Sequence, residues 1–264
     1  MSDFFTSKHV GVPDPVKPDK PVFKGTVQAV SFSTMEKFEQ CPYNIYLSKI
    51  QGITGISGPA ADRGSRLHKL LEDYVLGTVD KVNWKLFKAG NYHAPIIDSF
   101  HEAHSTKPRT CVSELQLAFT KNMKKTTWDA KNVWLRAMID VVRWQGHKHC
   151  VIYDYKTGSN QSAAKHRAQL MLYALLMLIR YPKLETIEVT AIYLDQRVDN
   201  FYTSYIRNDL DLYWPRYLKR LQAVTECEDF QPNPNGFTSK WCQHKIKQEG
   251  LGQTKPACEF AYVR

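Results

Sequence analysis

The sequence predicts an α/β domain with a sheet in the middle of the chain and helices before and after it. Three observations carry this. Residues 111–120, 132–144 and 149–158 read as three consecutive strands with short turns, an antiparallel meander. Residues 162–180 form the clearest helix. Ala168, Leu170, Met171, Leu172, Ala174, Leu175, Leu176 and Leu178 make it apolar nearly all round, so it packs in the interior. Residues 187–194 are a further strand, turning through 195–200 into another at 201–206.

Composition bounds the function classes. With 264 residues and 43% hydrophobic content, a sizeable core is possible and global disorder is excluded. The net charge of +10 favours an acidic partner, nucleic acid being the usual one, with plain solubility as the alternative. No apolar run is long enough to span a bilayer, so no membrane role is expected. The N-terminus has no secretion signal, and six scattered cysteines fit reduced thiols. Both point to the cytoplasm.

Residues 1–27 carry Pro13, Pro15, Pro18 and Pro21 among lysines and read as a flexible basic tail. Residues 28–264 read as one domain: helical segments over 31–104, the core sheet over 111–206, and a helix with a tail over 208–264. Ser33 is the expected N-cap of the first helix, with Glu36 completing a capping box, and Pro42 restarts the chain after Cys41. Gly52, Gly55 and Gly58 mark a loop. In the helix over about 60–76, Leu67, Leu70, Leu71 and Tyr74 form the apolar stripe and His68 sits beside it. Residues 83–104 read as more helix. Glu114, Gln116 and Ala118 share a face of the first strand, and residues 121–125 form a basic turn. Asp140 interrupts the apolar run 137–142, where a carboxylate is costly to bury without a partner. Asp154 and Lys156 lie two apart on the third strand and point the same way before Thr157-Gly158 stops it. Gln169 and Tyr173 are four apart on the apolar helix and can hydrogen-bond one another.

Asp154 and Lys156 are consistent with a plain salt bridge and equally with half of a metal-dependent phosphodiesterase site. Asp140 and Asp154 on neighbouring strands can converge as two carboxylates, with the Tyr155 carbonyl as a third oxygen, a donor set suited to Mg²⁺ or Mn²⁺. Lys156 can then orient or deprotonate the attacking water, or balance charge on the phosphate.

The order of these residues resembles the PD-(D/E)XK nuclease superfamily, in its RecB-type branch that includes phage exonucleases. Ser31-Phe32-Ser33 through Cys41-Pro42-Tyr43 resembles the branch's S-x-S…C-P helix, and Gly64 to His68 its G-x-x-x-H motif. Met138-Ile139-Asp140 resembles its G-x-[IV]-D strand, with Ala137 near where the family has glycine. Asp154-Tyr155-Lys156 resembles its D-x-K strand, and Gln169 to Tyr173 its Q-x-x-x-Y helix. The resemblance covers about residues 30–195 and implies a restriction-endonuclease-like αβββαβ core with a mixed sheet flanked by helices. It implies metal ligation by His68, Asp140 and Asp154, an additional acidic position at Glu114, and DNA contact and site support from Gln169 and Tyr173. Many relatives carry an iron–sulfur cluster on four cysteines. Cys41, Cys242 and Cys258 occupy three such places, while Ser239 stands near the fourth. Cys227, His244 or a Zn²⁺ site could substitute, but ordinary buried thiols are the preferred reading.

The expected activity is therefore Mg²⁺- or Mn²⁺-dependent hydrolysis of single- or double-stranded DNA. An exonuclease of phage or bacterial recombination, repair or degradation fits the branch, in a bacterial or phage-infected cell, with a recombination or single-strand-binding protein as a conceivable partner. Lys121, Lys124, Lys125, Arg143, His147, Lys148, Lys240, Lys245 and Lys247 are candidates for phosphate contacts, and Trp128, Trp134 and Trp241 for base stacking. The alternatives are an endonuclease, or a catalytically idle nucleic-acid-binding or partner-recruiting module on the same fold.

Overall fold

The computed structural model describes residues 21–55, 57–158, 163–233, 242–244, 258 and 260. Five strands form one sheet in the order β1 (Cys111–Phe119), β2 (Leu135–Trp144), β3 (His149–Lys156), β4 (Thr186–Tyr193) and β5 (Phe201–Ile206). β1, β2 and β3 pair antiparallel, as short turns require. β3 and β4 pair parallel because the helix α5 (Ala163–Arg180) carries the chain back across one face. β5 returns antiparallel to β4. This is the mixed, helix-flanked αβββαβ core expected.

Two cores sandwich the sheet. On one face α5 packs Leu170, Leu172, Leu175 and Leu176 against Leu135, Ile139, Ile152 and Val189, all with no exposed surface. On the other, α3 (Pro59–Val75) and α4 (Ala94–Thr106) bring Leu67, Leu71, Ile97 and Phe100 onto Val141, Tyr155 and Ile192. The pleat of β2 changes phase between these cores: Ala137 and Ile139 face α5, while Val141 faces α3 and α4. Strict alternation would put all three on one side. The slip falls on Asp140.

Several boundaries differ from the sequence expectation. Residues 83–104 are not one helix. A 3-10 turn at Trp84–Leu86 precedes α4, and Gly90, with φ +64°, and Pro95 at the start of α4 break the run. The first helix, α1 (Phe32–Gln40), is capped by Ser31, not Ser33. Ser31 is extended and its Oγ accepts from the Thr34 N–H at 3.3 Å, while Ser33 is already helical. Pro42 does open a new short helix, α2 (Pro42–Ile45). The end of the expected tail over 1–27 is packed: Val27 is buried and the Phe23 N–H donates to Asp229. Its Pro/Lys pattern hides these few apolar anchors, and residues 1–20 lie outside the described residues. The last helix, α6 (Asp209–Thr225), packs on α5 through Tyr217, whose hydroxyl donates to the Ala168 carbonyl at 2.6 Å. Among the described residues no helix is long and apolar enough to cross a membrane.

Ile152, two residues before Asp154 on β3, is part of the α5 core and has no exposed surface. Ile152→Ala is expected to cost about 2–5 kcal/mol. Urea unfolding would show this as a lower midpoint at unchanged slope; a loss below about 1 kcal/mol would contradict close packing of α5 on the sheet.

Candidate active site

The site begins where β2 and β3 part. Their ladder runs from Trp144–Cys150 to Val141–Tyr153 and stops there. The next free donor, the Tyr155 N–H, donates instead to Asp140 Oδ2 at 2.6 Å. The Asp140 side chain thus replaces a backbone partner, and its carboxylate is held in the gap between the strands. Across β1, Glu114 stands opposite Asp140 in the register but leaves the pairing, with φ +52°. A left-handed non-glycine residue costs on the order of 1–2 kcal/mol. Its carboxylate lines the same cleft as Asp140 and His68, about 470 Å³ in volume.

Beyond the gap, Asp154 and Lys156 lie side by side as their spacing requires, the ammonium on Asp154 Oδ2. Lys156 Nζ also donates to Gln169 Oε1 at 2.8 Å, and Gln169 Nε2 donates to the Tyr173 hydroxyl at 2.7 Å. A relay from α5 therefore fixes the lysine. Tyr173 is only 7% exposed and its hydroxyl is taken up by Gln169, which is the site support expected of it. Gln169 likewise spends both ends of its amide on Lys156 and Tyr173.

His68 enters from α3, Nδ1 at 3.4 Å from Asp140 Oδ1. Gly64, one turn earlier, lets α3 approach: a β-carbon there would lie 2.9 Å from Thr157 Oγ1. The sequence reading missed what holds this helix. Arg63 grips Asp195 with two parallel bonds, 2.7 and 2.8 Å, and also donates to the Leu86 carbonyl. Asp195 further accepts from the Gly158 and Lys88 N–H groups. One enclosed carboxylate at the end of β4 thus ties together α3, the exit of β3 and the turn after Leu86. The bond spans 132 residues, so no local pattern announces it; the only signal is an arginine beside the glycine of the α3 motif.

The electrostatics are those of crowded carboxylates. Burial, then the charges of Asp140 and Glu72, push Glu114 up to about 7. Burial also pushes the Asp154 carboxyl above its ordinary range; Lys156 opposes this and Asp140 adds to it. For His68, burial works downward, but its hydrogen bond to Asp140 and the charges of Asp140 and Asp154 outweigh it and raise the pKa. Excess negative charge on hard oxygen donors beside an imidazole fits a divalent cation such as Mg²⁺ or Mn²⁺. Asp140, Asp154 and His68 could hold it, with Glu114 close by. Among the described residues no three His, Cys, Asp or Glu side chains already close around one point.

Cys41, Cys242 and Cys258, three cluster positions by resemblance but ordinary thiols in the preferred reading, lie together. Cys258 is hydrogen-bonded to Cys242, which with burial raises its pKa, and both pack with Cys41 beside Tyr43 and Leu47. Cys227 is turned away, donating to the Asp229 carbonyl.

The basic candidates divide. Arg143 and Lys148 are at the opposite end of the sheet, since β3 runs about 23 Å from His149 to Lys156. Arg143 donates to the Ser99 carbonyl and Lys148 pairs with Glu185, so neither faces the cleft. The turn with Lys121, Lys124 and Lys125 is at the cleft end, although Lys121 pairs with Glu226. Trp134 is buried in the core, which removes it as a stacking platform. Trp128 stacks under Arg136 at 5.2 Å. Lys240, Trp241, Lys245 and Lys247 lie outside the described residues.

A family model described as the PD-(D/E)XK nuclease superfamily matches residues 29–246. No curated protein matches the chain. Among solved structures, SSO0001 is similar at 10% identity and a TM-score of 0.43, over 83% of this chain and 84% of its own. A protein of Eubacterium rectale provisionally named an exonuclease is similar at 12% identity and a TM-score of 0.43, over 77% of this chain and 84% of its own.

The Arg63–Asp195 clamp has a signed pH dependence. Hydrogen bonds from Arg63, Gly158 and Lys88, with the Arg63 charge, outweigh burial and hold Asp195 well below the usual carboxylate range. Its contribution is therefore complete above the unfolded value of about 3.9 and is lost as pH falls through the lower folded value. Asp195→Asn is expected to destabilise the neutral protein by about 3 kcal/mol, the low end for a broken pair because Arg63 is partly exposed. It should also flatten the acid limb of a stability–pH curve below about pH 4. An unaltered acid limb in chemical denaturation would contradict the clamp.

Proposed function

The chain belongs to the PD-(D/E)XK nuclease superfamily, and on that premise we propose that it hydrolyses DNA phosphodiesters with Mg²⁺ or Mn²⁺, acting from a DNA end. The observation that carries this reading is Lys156, its ammonium fixed between Asp154 and Gln169 next to the Asp140 carboxylate. The RecB-type order of motifs supports exonuclease action and a setting in phage or bacterial DNA recombination, repair or degradation. We read residues 28–264 as one nuclease domain, supported by one sheet whose larger core draws residues from Val27 to Phe230.

The roles follow from position. Asp140, Asp154 and His68 hold the cation, which when bound supplies Lewis acidity at the phosphate and lowers the pKa of water. Lys156 orients the attacking water and offsets charge gathering on the phosphate oxygens. Gln169 holds Lys156 Nζ at its place and Tyr173 holds Gln169. Asp140 is aimed by the Tyr155 N–H, so its geometry does not depend on the cation. Lys124 and Lys125 at the cleft end of the sheet bind backbone phosphates without reading sequence.

The test is degradation of linear and circular, single- and double-stranded DNA with Mg²⁺ or Mn²⁺. Linear DNA is expected to be degraded only with metal, and closed circles to survive. Lys156→Ala and Asp140→Ala should each lower the rate by roughly 10²-fold or more. Gln169→Ala, which leaves the reacting groups in place, should lower it by about 10–100-fold. Tight binding without cleavage under every metal would sink the reading and favour a binding module. Cleaved circles would make the enzyme an endonuclease.

A further inference from the structure

We propose that a second pocket, between the start of α1 and the loop leading to α3, binds a backbone phosphate of the DNA strand whose other part lies in the cleft. This rests on the nuclease reading and adds a binding site to it. The pocket is about 290 Å³ in volume, and its polar lining includes Ser31, Ser33, Thr34, Lys37, Lys49 and Gln243. Among the described residues no carboxylate lines it.

The charges in it are unbalanced. Burial, then the neighbouring Lys49 charge, lower the pKa of Lys37, as expected of two ammonium groups that share one space. Lys37 has the neutral amide oxygen of Gln243 as partner at a long 3.5 Å, and among the described residues no carboxylate pairs with it. An anion placed between the lysines would relieve both. Ser48, also in the lining, spends its proton on the Asn44 carbonyl, while the Ser31, Ser33 and Thr34 hydroxyls share two mutual bonds among three protons, which leaves one donor for a phosphate oxygen. Ser31 Oγ already collects Ser33 Oγ, Thr34 Oγ1 and the Thr34 N–H, so the lining is fixed rather than loose.

The pocket is joined to the cleft by β2. The Arg136 N–H donates to the Val30 carbonyl at 2.8 Å, which seats Ser31 at the head of that strand. Arg136, Met138 and Asp140 follow at alternate positions, so about 13 Å of β2 separates the residue that seats Ser31 from the catalytic gap. Met138, 43% exposed, lines the cleft between them and offers an apolar contact to a sugar or base. A strand lying over β2 would place one phosphate at Asp140 and Asp154 and another between Lys37 and Lys49.

Two variants test this in the full chain. Lys37→Gln/Lys49→Gln removes both charges. Ser33→Asp puts a carboxylate into the pocket at the first turn of α1, where a negative charge favours the helix, so folding is retained. Fluorescence anisotropy of a labelled single-stranded oligonucleotide is measured with EDTA across a salt series. The double variant should flatten the slope of log affinity against log salt by about 0.7 for each phosphate that is no longer neutralised. Ser33→Asp should weaken binding while thermal stability holds or rises. In metal-dependent cleavage both variants should raise KM with kcat unchanged, the mark of weakened uniform binding. Slope and KM equal to those of the unaltered chain in both variants would overturn the pocket. The nuclease reading fails separately, if the unaltered chain binds the oligonucleotide and cleaves no DNA under any metal, and the slope comparison still decides the pocket.

Discussion

The hydrogen bond from the Tyr155 N–H to Asp140 Oδ2 is the constraint on which the site depends. A sheet whose ladder continued past Val141–Tyr153 would leave no room for a carboxylate between its strands. Because β2 changes pleat at Asp140, the strands separate, and one backbone donor would be left without a partner. An unsatisfied buried N–H costs about 1–3 kcal/mol. Asp140 meets that need with one oxygen and keeps the other beside His68. The same side chain therefore completes the fold and opens the cleft. The strained backbone of Glu114 is the counterpart on β1, where the pairing is interrupted at the matching position.

The parts of this arrangement that the sequence made legible are those with a short-range signature. Asp140 stood out because it breaks an apolar run, and the Asp154–Lys156 spacing places both on one face whatever the surroundings. Gln169 and Tyr173 share a helical face, and they do bond. The helix α5 was plain because it is apolar all round. What stayed hidden is long-range or conformational. Arg63 and Asp195 are 132 residues apart, and neither sits in a run that marks it as unusual. The pleat slip at Asp140 leaves the apolar pattern intact while moving Val141 to the other core. Ser31 and Ser33 are equivalent as sequence; backbone geometry alone makes the first the cap. The helix expected over 83–104 failed because apolar spacing at Trp84, Phe87 and Ile97 survived a left-handed glycine between them.

Charge is distributed against the average of the molecule. The chain carries +10 overall, yet Glu72, Glu114 and Asp140 line its cleft, with the buried Asp154 close enough to Asp140 to feel its charge. The cationic groups near it are Lys69 on its wall, paired with Glu72 and Asp73, Lys156 inside the site, and Arg136 and the lysines of the β1–β2 turn along its approach. Such a pattern draws a polyanion toward a centre that repels it. A divalent cation reconciles the two, because it turns the repelling centre into the attractive one at the point where a phosphate arrives.

The same crowding of charge separates a simple salt bridge from a reactive pair at Asp154 and Lys156. They do form a salt bridge: the ammonium lies on the carboxylate, and both are nearly enclosed. Stability gives a weak reason for it, since a buried ion pair is often no better than apolar residues of the same volume. A structural pair would also need no further support. Here the lysine is gripped a second time by Gln169, which is itself held by Tyr173, and the carboxylate is crowded by Asp140. The surrounding groups restrain the direction of the lysine without lowering the charge density of the acids beside it. Restrained direction and unrelieved charge are properties of a group positioned for a reactant, and they separate this pair from an ordinary core contact.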